Sequence, residues 1–121
     1  MIGYATIGSN DLEKAKKFYE TVLAPLGAKP TFASDRMQGY AGAGGAMLAL
    51  CRPYDEKPAV PGNGNMVALS APSPDVVQKV HALALANGGS DEGAPGERMP
   101  GFYGAYFRDL DDNKVCVFKM G

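Results

Sequence analysis

Side chains able to do chemistry are sparse in this sequence, and their spacing is loose. There is one histidine, His81, and the two cysteines, Cys51 and Cys116, stand alone rather than in a CxxC pair. An imidazole suits general acid–base work. His81, however, falls beside Val77 and Val80 in a stretch of helical spacing, where a packing or surface histidine is the ordinary reading. Isolated cysteines form no disulfide framework and read as small buried apolar residues in a reducing cytoplasm. Asp109, Asp111 and Asp112 resemble a carboxylate cluster for calcium, but the rest of an EF-hand loop is missing. With Asn113 they read as a turn. The glycines between residues 39 and 45 lack the Gly-Lys-Ser/Thr of a phosphate loop and suit tight strands and bulges.

The most ligand-like stretch is Met99-Pro100-Gly101-Phe102-Tyr103. Arg98, Tyr103 and Tyr106 around it are suited to grip an anionic or aromatic substrate. Turn formation and strand packing explain the same residues without a ligand. Arg36 and Arg52 lie in or beside loops, as carboxylate anchors or as solvated surface charges.

The elements that must position these residues come in two similar sets. Sliding the chain on itself aligns it at an offset of about 62 positions. Tyr4-Ala5-Thr6-Ile7-Gly8 falls on Met66-Val67-Ala68-Leu69-Ser70, Phe18 on Val80, Leu23 on Leu85, and Gly27 on Gly89. The opening segments alternate as strands do. Asn10 and Glu13 fit a capping box that starts a helix. Its apolar stripe is Leu12, Ala15, Phe18, Tyr19, Val22, Leu23 and Leu26, with Pro25 straining the last turn and Gly27 placed for a left-handed C-cap. The second helix starts at Ser73 as N-cap with Pro74 in its first turn, and stops at Asn87-Gly88-Gly89. Strand candidates follow at 31–33, 38–41 and 46–51 in the first half, and at 104–108 and 114–118 in the second. The expected architecture is α+β: two βαβββ modules in tandem forming a cupped, mostly antiparallel sheet, each helix covering one face and leaving the other free. Two such halves can enclose a cleft between their free faces. One domain spans 1–121, with module one at 1–52, a linker rich in proline and glycine at 53–65, and module two at 66–121.

Composition narrows the function classes. A net charge of −1 over 121 residues lacks the basic footprint of a nucleic-acid binder. No apolar run approaches the roughly 18 residues of a membrane span, and the first residues lack the pattern of a signal peptide. A cytoplasmic protein without nucleic-acid or membrane partners is expected.

With these elements laid out, the chain resembles the glyoxalase/bleomycin resistance/dioxygenase (vicinal oxygen chelate) superfamily. The resemblance rests on Asp11-Leu12-Glu13-Lys14-Ala15-Lys16-Lys17-Phe18-Tyr19, on Ala71-Pro72-Ser73-Pro74 with Ala86-Asn87-Gly88-Gly89, and on Phe107-Arg108-Asp109-Leu110-Asp111-Asp112-Asn113. It covers nearly the whole chain and implies the glyoxalase fold, with a divalent metal at the centre of the cupped sheet. The family's four ligand positions match Tyr4, Met66, Cys116 and Ala49, and none is His, Gln, Glu or Asp. In close relatives a His-Pro-x-Tyr-Tyr-like segment stands where Met99 takes the histidine position. The residue types therefore disfavour the family's metal, and no other cofactor is expected.

Alternation then puts Thr6, Met47, Ala68 and Ser70 on the inward face with the four ligand positions. Two readings stand for this lining. It forms a pocket for a small, partly apolar organic molecule, or it fills an old metal site as extra core. The expected function is a metal-independent small-molecule-binding member of the family. The alternatives are a lyase or isomerase of the lactoylglutathione-lyase type and a dimeric interaction module; the resemblance also implies a homodimer.

Overall fold

The computed structural model describes residues 1–121. It consists of two sheets of four strands with two helices, in the chain order β1 (Tyr4–Gly8), α1 (Leu12–Val22), β2 (Lys29–Ala33), β3 (Met37–Ala41), β4 (Met47–Cys51), β5 (Val67–Ser70), α2 (Pro74–Ala86), β6 (Ser90–Met99), β7 (Phe102–Arg108) and β8 (Lys114–Met120). The sheet orders are β1-β4-β3-β2 and β5-β8-β7-β6, so the second repeats the first. In each sheet the opening strand pairs parallel with the last strand of its half, and the remaining pairs are antiparallel. The tandem βαβββ pattern expected from the repeat is the observed one. No helix is long and apolar enough to cross a membrane.

Local chemistry explains most boundaries. Ser73 caps α2 by accepting from the Val76 N–H at 3.3 Å, with Pro74 following it. The cap of α1 is Asp11, accepting from the Lys14 N–H at 3.2 Å, and not Asn10. Asn10 is engaged elsewhere: its Oδ1 accepts from the Ala59 N–H at 2.7 Å and its Nδ2 donates to the Ala59 carbonyl at 3.0 Å. The helix ends at Val22, ahead of Pro25, which sits in a separate 3₁₀ turn (Ala24–Leu26) closed by Gly27 at φ 72°.

Sequence patterning missed β6. Ser90-Asp91-Glu92-Gly93-Ala94-Pro95-Gly96-Glu97-Arg98-Met99 carries no alternation, yet it pairs with β7 along its length. It is an edge strand, where an unpaired N–H side tolerates proline, and its register shifts at several bulges.

The core lies on the helix side of both sheets and is continuous between the halves. Phe18, Tyr19 and Val22 of α1 join Leu48 and Leu50 of β4, Val77, Val80 and Ala84 of α2, and Ala105, Phe107, Val115 and Val117 of the second sheet. The Phe18 ring lies 6.2 Å from that of Phe107, so the first helix packs on the second module's sheet. Hydrogen bonds at the β7–β8 turn reinforce the junction. Tyr19 donates from its hydroxyl to Asp109 at 2.5 Å, Asn113 Nδ2 donates to the Gly8 carbonyl at 2.9 Å, and the Asn10 N–H donates to Asp111 at 2.8 Å. The acidic run is therefore a structural turn.

The opposite faces of the sheets are open. Tyr4 is 57% exposed and Met66 46%, whereas Ala49 and Cys116 are buried. These four positions divide between solvent and the sheet surfaces, because the halves meet through their helix sides.

Candidate functional site

The open face of the second sheet is built by its four hydrogen-bonded strands. Register places Ala68 of β5, Cys116 of β8 and Tyr106 of β7 on one rung, and Ser70, Phe118 and Gly104 on another. Ala68 and Ser70 are exposed, Tyr106 is half-buried, and Cys116 lies beneath them at 1% exposure. The rings of Phe102 and Phe118 stack at 5.3 Å.

Cations gather on this face. The Arg98 guanidinium lies 5.3 Å from the Tyr106 ring centre, and the Lys114 ammonium lies 5.6 Å from it. Arg98 also donates to the Ala94 carbonyl at 2.6 Å, which pins it over its own bulged strand. Gly93 and Gly96 make that possible. A Cβ at Gly93 would come within 2.9 Å of the Tyr106 ring and 3.2 Å of Arg98, and one at Gly96 within 3.0 Å of Arg98. Arg108 and Lys114 approach the single carboxylate of Glu92 at 2.8 and 4.0 Å, while Arg98 has no acidic partner. Burial pushes the Cys116 thiol above its ordinary value, although the Tyr106 hydroxyl, Arg98 and Lys114 pull the other way. Desolvation, and then the neighbouring Cys116, raise the Tyr106 hydroxyl. At neutral pH both stay protonated, so the face offers the Tyr106 hydroxyl beside cations, over a neutral buried thiol.

The first sheet's open face is more filled. Thr6 of β1, Ala49 of β4 and Gly39 of β3 share a rung. A Cβ at Gly39 would meet Thr31 Oγ1 at 2.6 Å and the Phe32 ring at 2.7 Å, so the bulged β2 folds its side chains across this rung. Thr31 also lies 3.5 Å from the Met47 sulfur. Where the modules meet, a cleft of about 440 Å³ is lined by Thr6, Met66 and Lys114 with the joining segment. It unites candidate residues from both halves but takes in none of Tyr4, Ala49 or Cys116.

Two sequence expectations change. Tyr103 does not share a face with Arg98 and Tyr106. Three residues from Tyr106 on one strand, it points to the helix side, where Gln78 donates to its hydroxyl at 2.8 Å. Met99 ends β6 at a hairpin with Gly101 at φ 81° and is 62% exposed, outside the cation–aromatic cluster's bonds. Lys114, Arg108 and Glu92 were not singled out as site residues from the sequence. The partnership of β6 with β7 that brings them together has no signal in the sequence pattern. His81 is buried against β6, with its Nε2 3.0 Å from Asp91, which accords with a packing histidine.

The four positions matching the family's metal ligands do not fit a hard divalent cation. Ala49 supplies no donor, the Cys116 thiol is held protonated, and Tyr4 and Met66 offer a phenol and a thioether. No group of three or more His, Cys, Asp or Glu side chains comes together elsewhere.

A family model described as Glyoxalase/Bleomycin resistance protein/Dioxygenase superfamily matches residues 1–117. No curated protein matches the sequence. Among solved structures, a glyoxalase/bleomycin resistance protein from Albidiferax ferrireducens is 36% identical, with a TM-score of 0.93 over 100% of this chain and 99% of that one. A family enzyme from Burkholderia phytofirmans is similar at 18% identity and TM-score 0.78, over 98% of each chain. A lactoylglutathione lyase from Agrobacterium tumefaciens is similar at 21% identity and TM-score 0.71, over 98% of this chain and 92% of that one. The last two likenesses concern the fold alone.

Proposed function

The chain belongs to the glyoxalase/bleomycin resistance protein/dioxygenase superfamily, and on that premise we propose that it binds a small organic anion without a metal, on the open face of its second sheet. One observation carries this reading: Arg98, free of any carboxylate, is pinned over the Tyr106 ring on the rung that holds Cys116. A ring or carboxylate of a ligand then meets a guanidinium fork, an ammonium and an aromatic surface together. Ala68, Ser70 and the Phe102–Phe118 stack supply the apolar and hydroxyl remainder. The side chains at the family's ligand positions support metal independence through their chemistry.

The test is a thermal-shift panel of divalent metals and small aromatic carboxylates. An organic anion should raise the melting temperature, cobalt, zinc, nickel and manganese should not, and Arg98→Ala should remove the response. Stabilisation by one of those metals and by no organic ligand would overturn the reading. Turnover in a methylglyoxal–glutathione assay would favour instead the lyase chemistry named for the Agrobacterium relative.

A second reading concerns assembly. Tyr4 at 57%, Met66 at 46% and Met120 at 63% exposure leave large apolar side chains on or beside the open faces, which favours a homodimer. Sedimentation should then give a mass of two chains at micromolar concentration; a monomer there would remove this reading.

A further inference from the structure

Away from the open sheet faces, the segment joining the modules forms a second cleft against the end of β1 and the β2–β3 turn. It measures about 700 Å³, and no hydrophobic residue lines it. A volume in the range of ligand sites, with a lining of charged and polar side chains apart from Pro53 and Pro58, suits a charged, hydrated ligand rather than an apolar one.

Its cations are unusually disengaged. Arg36, Arg52 and Lys57 line the cleft, and none lies within 4 Å of a carboxylate, since the molecule's ion pairs are Lys16–Glu13, His81–Asp91, Arg108–Glu92 and Lys114–Glu92. Asp35 and Glu56 also line it, so positive charge is in slight excess. The two guanidinium groups are oriented by neutral partners. Arg36 donates to the Arg52 carbonyl at 2.9 Å, contacts the Met37 sulfur at 3.6 Å and lies 5.5 Å over the Tyr54 ring, while Arg52 donates to the Asp35 carbonyl. Each keeps further N–H groups of its fork unused.

Two hydroxyls add to this. Ser34 Oγ accepts from the N–H groups of Arg36 and Met37, and Ser9 Oγ accepts from that of Asp11 at 3.1 Å. Neither hydroxyl donates to any protein acceptor. Ser9 is only 2% exposed, so its hydroxyl has little access to bulk water, and the residue lines the cleft.

We propose that this cleft is a second binding site, for a small oxyanion of two or more negative charges, gripped by Arg36, Arg52 and Lys57 with hydroxyl donation from Ser9 and Ser34. Fixed forks that lack acidic partners are pre-organised for bidentate contact with phosphate or carboxylate oxygens.

The experiment is an NMR and calorimetric titration with pyrophosphate at low ionic strength, with citrate as a parallel arm to separate phosphate from carboxylate sources. Saturable shifts are expected at the amides of Ser34, Arg36 and Lys57, weakening as salt is added. Arg52→Gln should weaken binding by about tenfold or more, the loss of a charged hydrogen bond. Lys57→Ala should weaken it severalfold with an unchanged melting temperature, because this side chain bonds nothing in the protein. Arg98→Ala should leave it unaltered. Absence of saturable binding of either anion, or binding that survives Lys57→Ala and Arg52→Gln intact, would overturn the proposal.

Discussion

Asp109 accepts four hydrogen bonds: from the Tyr19 hydroxyl, the Asp111 and Asn113 N–H groups, and Asn113 Nδ2. Removing one donor from a buried carboxylate costs about 1.5–3 kcal/mol, so Tyr19→Phe should lower stability by that order in a denaturant titration. The same pair sets a pH limit. Burial first, and then Asp109, raise the Tyr19 hydroxyl well above 10.0. A group whose folded pKa lies above its unfolded one gives its full stabilisation below the unfolded value and loses it as pH rises toward the folded one. Stability should therefore fall with alkali above about pH 10, and less steeply in Tyr19→Phe. The cysteines give a separate check. Cys51 is half-buried, while Cys116 is 1% exposed with its thiol pushed up. A thiol reagent at pH 8 should modify Cys51 and spare Cys116 until the protein unfolds. The residue types that argue against a hard metal were readable from the chain, because Ala49 has no donor in any conformation. The gathering of Arg98, Lys114 and Tyr106 was not, since it depends on how one irregular strand meets its neighbour.

At the scale of elements, the two helices were legible and β6 was not. Capping residues and an apolar stripe act within one turn of chain, as Ser73 and Pro74 do for α2. Asn10 shows where such reading stops. Its side chain suits a cap as well as Asp11 does, and the choice was made by Ala59, far along the sequence. Strand β6 has no alternation and little apolar content, and is held by pairing with β7 and by Asp91, whose carboxylate accepts from the Gly93 N–H and lies 3.0 Å from His81. Those contacts hold Asp91 below its usual value of 3.8, the Gly93 N–H being the largest cause. The bulge that carries Arg98 depends on glycine for space. Gly93→Ala should thus displace Arg98 from Tyr106 and weaken anion binding at that face severalfold, with the melting temperature changed far less. Loss of fold with retained affinity in the remaining native fraction would contradict that role.

Across the whole molecule, the modules share one core while their sheet faces look outward. Phe107 is fully buried beneath Phe18, so Phe107→Ala should cost about 3–5 kcal/mol. Far-ultraviolet dichroism and tyrosine fluorescence should still report one coincident transition, as a single cooperative unit requires. Transitions separated by module would sink that expectation. Internal repetition had announced the two halves, but not which surfaces they turn toward each other, since both sides of each sheet carry apolar side chains. The shared core also bears on what a half-length chain could be. Alone, a βαβββ unit would bare either Phe18, Tyr19 and Val22 or Val77, Val80 and Ala84 to water, and would be an adhesive fragment seeking its complement. Such fragments meet only as often as their abundance allows. Tying them with a short strap makes the complement permanently available, at an effective concentration on the order of millimolar, so that association no longer depends on how much protein a cell makes.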